Sequence, residues 1–173
     1  LKAILIIMLQ RILVAVDNST MGQQVFEEAL ALASATGANM MILHVLDPEE
    51  RGSPQIPMVY NTYSMPLDEP TMKLYQQQWQ EFEERGLKML QSLADRATGA
   101  GVKTEFTQKT GSPDRAICTL AESWGADLIV MGRRGLSGVK EFFLGSVSNY
   151  VLHRSPCSVH IVHLNKWEGT LNR

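Results

Sequence analysis

"RILVAVDNSTMGQQVFEEALALASATGANMMILHVLD", residues 11–47, sets two apolar runs on either side of one helical pattern. The first run, RILVAVD (11–17), is β-branched and ends in turn chemistry, as a short strand does. Val25, Ala29, Leu32 and Ala33 then recur at helical spacing. Thr20 and Gln23 read as a capping-box pair ahead of them, and Gly37 as the stop. NMMILHVLD (39–47) is a second, nearly unbroken apolar run. Continuous runs of this kind suit strands buried on both faces, which are those of a parallel sheet.

The alternation continues outward. Residues 48–70 carry five prolines and no apolar period, which predicts a mobile or functional loop. A helix is expected over 71–98, with Leu74, Phe82, Leu87, Leu90 and Leu93 as its buried stripe. GVKTEFTQK (101–109) reads as a third strand. SPDRAICTLAESWG (112–125) reads as a helix with Ser112 as N-cap and Pro113 in the first turn. ADLIVMG (126–132) is a fourth strand, residues 145–155 open a helix, and PCSVHIVHL (156–164) is a fifth strand. Strand and helix alternating throughout define an α/β fold: a single Rossmann-like domain, a parallel sheet with helices on both faces. Such sheets bind ligands beyond the carboxyl ends of their strands, where strand order reverses. With the order 3-2-1-4-5, that crevice lies between strands one and four, where Asp17 and Gly132 mark the exits.

Composition narrows the function. The chain has 173 residues, 45% hydrophobic, with a net charge of −2. That balance gives no electrostatic case for nucleic acid or a membrane surface as partner. Cys118 and Cys157 stand apart from any CxxC or Cys/His cluster, which fits a reducing, cytoplasmic setting. The apolar stretch within residues 1–9 is too short to span a bilayer and lacks a small-residue cleavage site. It is expected to be an extension or remnant ahead of a domain at 10–164, with 165–173 as a tail. Trp167 in that tail has no assigned role.

GRRGLSGVKEFFLGS (132–146) follows the fourth strand directly. Glycines let a backbone approach an anion without Cβ obstruction. The helix beginning at Gly145-Ser146 adds unpaired N–H groups and a positive dipole end. Ser146 and Ser148 add hydroxyls. No GxxxxGK[ST] or GxGxxG occurs. On spacing alone, phosphate binding stands beside a plainer reading in which the glycines only permit turns.

Taken together, ILVAVDNS, ILHV, GADLIVMGRRG and the spacing Gly132-x2-Gly135-x9-Gly145-Ser146 resemble the universal stress protein family. The glycine spacing is similar to that of its ATP-binding branch. The resemblance covers residues 10–164 and implies a five-stranded sheet of order 3-2-1-4-5. It also implies ATP as ligand, with Mg²⁺ or Mn²⁺ held through the phosphates. By the same resemblance Asp17 accepts from the ribose hydroxyls, and Ala15 and Val45 line the adenine pocket. Met131 and Gly132 face adenine and ribose. Gly135, Gly145, Ser146, Val147 and Ser148 surround the phosphates, and Arg133 supplies a cation. Position 15 often carries proline in the family; alanine stands here. A homodimer paired through strand five is implied as well, and that strand's unblunted apolar edge invites it.

Plainer readings stand beside these. Asp17 could cap the first helix. Arg134 and Lys140 read as solvated charge, and the acidic pairs at 27–28, 49–50 and 83–84 as helix faces or loop charge. His44, inside an apolar strand, reads as a hydrogen-bonded core or pocket-edge histidine. His160 and His163, three apart on a strand, face opposite ways and cannot chelate together. Trp79 and Trp124 read as packing residues. No nucleophile–base pair or metal cluster emerges, so the expected function is nucleotide-dependent regulation with little or no hydrolysis, without catalytic residues. Two alternatives stay open: a slow ATPase, and a non-nucleotide dimeric scaffold that binds a protein partner.

Overall fold

A computed structural model describes residues 9–50, 52–55, 68–133 and 144–163. The elements run β1 (Arg11–Val16), α1 (Thr20–Thr36), β2 (Asn39–Leu46), α2 (Glu69–Gly99), β3 (Thr104–Thr110), α3 (Pro113–Trp124), β4 (Leu128–Gly132), α4 (Ser146–Arg154) and β5 (Ser158–Val162). The sheet order is β3-β2-β1-β4-β5 and every pairing is parallel. The α/β class and the strand order are those expected from the sequence.

Strand alternation sorts the apolar residues into two cores. Ile12, Val14, Met40, Ile42 and Val130 face α1 and α2, where they meet Val25, Phe26, Ala29, Leu90 and Leu93. Leu13, Met41, Leu43, Ile129 and Met131 face α3 and α4, where they meet Ile117, Ala121 and Val151. The central strand β1 is buried at Ile12, Leu13 and Val14. α1 lies on one face and α4 on the other, so the chain leaves β1 and β4 in opposite directions. The crevice at a strand-order reversal opens between those exits.

Local details depart from the sequence reading. The α1 N-cap is Ser19, whose hydroxyl accepts from the Gly22 amide; Thr20 is already helical. Gly37 does close α1, in the left-handed conformation with φ 73°. α2 starts at Glu69, so Pro70 belongs to its first turn and not to the preceding loop. Asp68 caps it by accepting from the Thr71 amide at 3.1 Å. Of the expected α2 stripe, Phe82, Leu90 and Leu93 are buried, whereas Leu74 and Leu87 are exposed. Ser112 holds the cap position of α3, yet its hydroxyl turns to the Asp114 carboxylate and caps no amide. Tyr60, Tyr63, Met65, Arg134, Gly135, Lys140, Leu164 and Trp167 lie outside the described residues. No helix among the described residues is long and apolar enough to cross a membrane.

Candidate functional site

β1 lies between β2 and β4, and Ala15 pairs with Leu43 on one side and Met131 on the other. Two residues on, the Asp17 carboxylate turns back on its own chain. Its Oδ1 accepts from the Ser19 amide at 3.2 Å and from the Ser19 hydroxyl. Asp17 therefore orients the residue that caps α1 and does not cap the helix itself. A Cβ at position 22 would lie 2.1 Å from the Asp17 carbonyl oxygen, so only glycine allows α1 to start this close to the β1 exit.

Across the crevice, β4 ends at Gly132. A Cβ there would lie 2.5 Å from Met21 Cγ, so α1 presses against both exits. The sequence suggested anion approach as the reason for glycine at 132; close packing against Met21 is a second reason. The Arg133 amide donates to the Val162 carbonyl at 3.0 Å, which keeps the chain on the sheet for one residue beyond β4. The chain returns at Gly145, the N-cap of α4, with φ −60° and ψ 161°, a conformation any residue can adopt. Among the described residues no side chain caps that helix end. Its first-turn amides therefore lack intrahelical partners, as in any helix. The Ser148 hydroxyl is buried and donates to the Gly132 carbonyl at 3.3 Å, tying α4 to the β4 exit.

The structure thus brings most of the expected residues to one end of the sheet. Asp17, Gly132 and Arg133 are at the strand exits, and Gly145, Ser146, Val147 and Ser148 form the start of α4. Ala15, Val45, Met131 and Val147 share the core on the α3/α4 face. Val45 and Met131 are themselves buried. Among the described residues, no three His, Cys, Asp or Glu side chains are grouped to hold a metal. A groove of about 450 Å³ lies apart from the crevice, between Leu46 and Thr110 and the Tyr75–Trp79 side of α2.

Sequence reasoning missed one member of this end of the molecule. Glu50, read as loop charge, is 5% exposed. Both of its carboxylate oxygens face His44 Nε2, at 3.1 and 3.2 Å. Residues after β2 form a hydrogen-bonded turn, with the Glu50 amide donating to the Asp47 carbonyl and the Ser53 amide to the Glu50 carbonyl. The expected loop is therefore ordered at its start. A carboxylate six residues after a histidine in an apolar strand was the available signal.

Fold and crevice together define an open, doubly wound parallel α/β protein with its candidate site at the strand-order switch. Comparison with known proteins narrows this class. The description "Universal stress protein family" matches residues 8–163, and the chain belongs to that family. It is 36% identical over 152 residues to universal stress protein Sll1388 of Synechocystis, covering 88% of this chain and 96% of that one. Among solved structures, it is similar to a universal stress protein in complex with cAMP: 27% identity, TM-score 0.59, 90% and 97% of the two chains. An Arabidopsis thaliana family protein with AMP bound shares the fold at 22% identity and TM-score 0.60, covering 91% of this chain and 93% of that one.

Proposed function

We propose that this universal stress protein binds an adenine nucleotide, with ATP as the ligand, between the exits of β1 and β4. It acts as a nucleotide-dependent regulator with little or no hydrolysis. The observation that carries this reading is that the Ser148 hydroxyl ties the first turn of α4 to the Gly132 carbonyl at the β4 exit, and β4 pairs directly with β1, whose exit carries Asp17. The donor set suits the ligand. Asp17 offers carboxylate oxygens for a ribose diol, and the first-turn amides of α4 offer donors and a positive dipole end for phosphates. Ala15, Val45 and Met131 supply the apolar wall, with Arg133 as a cation. Gly135, outside the described residues, completes the assignment. Mg²⁺ or Mn²⁺ would be held through the phosphates. A related structure in complex with cAMP supports the nucleotide class. Pairing of two copies along β5 is part of the same proposal.

Denaturing the purified chain and identifying the released small molecule by chromatography and mass is the direct test. Calorimetry with ATP and Mg²⁺ on wild type and Gly145→Val supplies the second arm. A valine side chain at the α4 N-cap should weaken binding by on the order of several kcal/mol. Equal affinity in the two proteins would remove the α4 N-terminus from the site.

A further inference from the structure

Beneath the middle of α2, a polar chain runs from the helix to the β1 exit, buried at His44 and Glu50 and partly exposed at its Gln108 end. Its first link is Gln108 of β3. The Gln108 side-chain nitrogen lies 3.3 Å from the Glu83 carbonyl oxygen and 3.0 Å from His44 Nδ1. A carbonyl only accepts, so the amide donates and His44 Nδ1 accepts. The proton of the ring then sits on Nε2, which donates to Glu50. His44 is fully buried, and Phe82 packs edge-on against it with ring centroids 6.4 Å apart. The space exists because α2 carries Gly86 at the crossing. A Cβ there would lie 2.2 Å from the Gln108 amide nitrogen and 2.6 Å from His44 Nδ1.

The last link reaches the candidate site. Glu50 Oε1 accepts from the Asn18 amide at 3.5 Å, the outer limit of hydrogen-bonding distance. Asn18 stands between Asp17 and the cap residue Ser19. A carboxylate held on one edge by a buried imidazole has little freedom to move. Its Oε1 therefore meets the Asn18 amide from a fixed point.

We propose that Glu50 is a positioning residue for the nucleotide site. Locked by His44 and Gln108, it holds the Asp17–Asn18–Ser19 turn through the Asn18 amide and so sets the direction in which Asp17 meets its ligand. The affinity part rests on the nucleotide reading above; the positional part does not.

The test uses the full chain and three variants: Glu50→Ala, Glu50→Gln, and the double variant His44→Leu/Glu50→Met. The double variant replaces both buried partners by apolar groups, so no imidazole N–H is left facing a missing carboxylate, while the Gln108 amide keeps the Glu83 carbonyl as an acceptor; most of the stability lost in the single variant should return. ATP with Mg²⁺ is the probe for calorimetry, and amide hydrogen exchange at residues 17–19 is read alongside. Glu50→Gln keeps an acceptor oxygen and should stay within about threefold of wild type. Glu50→Ala should lose about tenfold in affinity, the scale of one charge-assisted hydrogen bond, with faster exchange at Asn18. The double variant should show the same loss and the same fast exchange with its stability recovered. Recovery of affinity and slow exchange along with stability would reduce Glu50 to a core residue and overturn the proposal. If wild type binds no adenine nucleotide, the nucleotide reading falls, and exchange at Asn18 alone decides whether Glu50 positions the turn.

Discussion

Gly22 and Asp17 are in such close approach that a Cβ on residue 22 would lie 2.1 Å from the Asp17 carbonyl oxygen and 2.8 Å from its Oδ1. The obstacle is backbone at the end of a central strand, which has nowhere to retreat. Gly22→Ala must therefore push either the start of α1 or the β1 exit. The expected cost is about 1–3 kcal/mol of stability, as for other overpacked sites. Asp17 is displaced in the same movement, so affinity for ATP should fall about tenfold or more. Urea denaturation and nucleotide titration on the one variant check both; unchanged values would mean that α1 slides freely over the exit.

Gly132 gives the contrasting case. Its Cβ would meet Met21 Cγ at 2.5 Å, Met21 Sδ at 3.2 Å and Val25 Cγ2 at 3.3 Å. A thioether side chain repacks readily. Gly132→Ala should cost about 1 kcal/mol, less than Gly22→Ala. Adding Met21→Ala should return part of that loss, because the two residues share one space. A double-mutant cycle measures the coupling, and strict additivity would place the strain elsewhere.

These two glycines mark what the sequence could and could not tell. Strands β1, β2 and β4 were legible because each is an apolar run long enough to cross the core, and the two-sided burial of Ile12–Leu13–Val14 is written in those residues alone. The strand exits were legible for the same reason. The causes of local geometry were not. Gly132 carries no positive φ and stands against a side chain more than a hundred residues earlier. Glu50 looked like loop charge because its burial depends on His44, Gln108 and the gap at Gly86, which only the folded crossing of α2 over β2 and β3 brings together. Leu74 and Leu87 keep helical spacing with the buried residues of α2, yet they are exposed. Periodicity records which residues could share a face, and the packing partner decides which of them are covered.

The two thiols carry a pH signature. Burial pushes the Cys118 thiol up, aided by the negative charge of Asp114 and of Cys157. Burial also raises Cys157, with Asp127 adding to the rise, while a hydrogen bond from Ser155 works against it. A raised value means the folded chain keeps its proton where the unfolded chain has lost it. Stability from this source is complete below the unfolded thiol value of about 8.5 and falls as pH rises through the folded one. Urea titrations at about pH 7.5 and about pH 9.5 should show a larger alkaline loss in wild type than in Cys118→Ala/Cys157→Ala. Equal losses in the two proteins would assign the alkaline limb to other groups.

The outer edge of β5 should pair with its symmetry mate. In the sheet order β5 is terminal, and β4 is its one neighbour among the described strands. The Arg133 amide donates to the Val162 carbonyl, so the polar groups of Val162 point at β4. By strand alternation those of Val159 and Ile161 point away from β4. Ser158 to Val162 contains no lysine or proline to blunt that edge. The side chains of Val159 and Ile161 are half-buried against the α3/α4 core, whereas His160 is exposed and bonded to Glu28 at 2.8 Å. Twofold pairing of the same segment would satisfy the outward donors and acceptors without a second gene product. Ile161→Pro is a clean probe, because the amide it deletes faces away from β4 and an edge strand tolerates proline in that orientation. The domain should stay folded, with its thermal midpoint nearly unchanged at a concentration where both proteins are monomeric. Light scattering behind size exclusion should report a dimer for wild type at micromolar concentration and a shift to monomer for the variant. A dimer indifferent to Ile161→Pro would put the interface on another surface, and a wild-type monomer would end the pairing proposal.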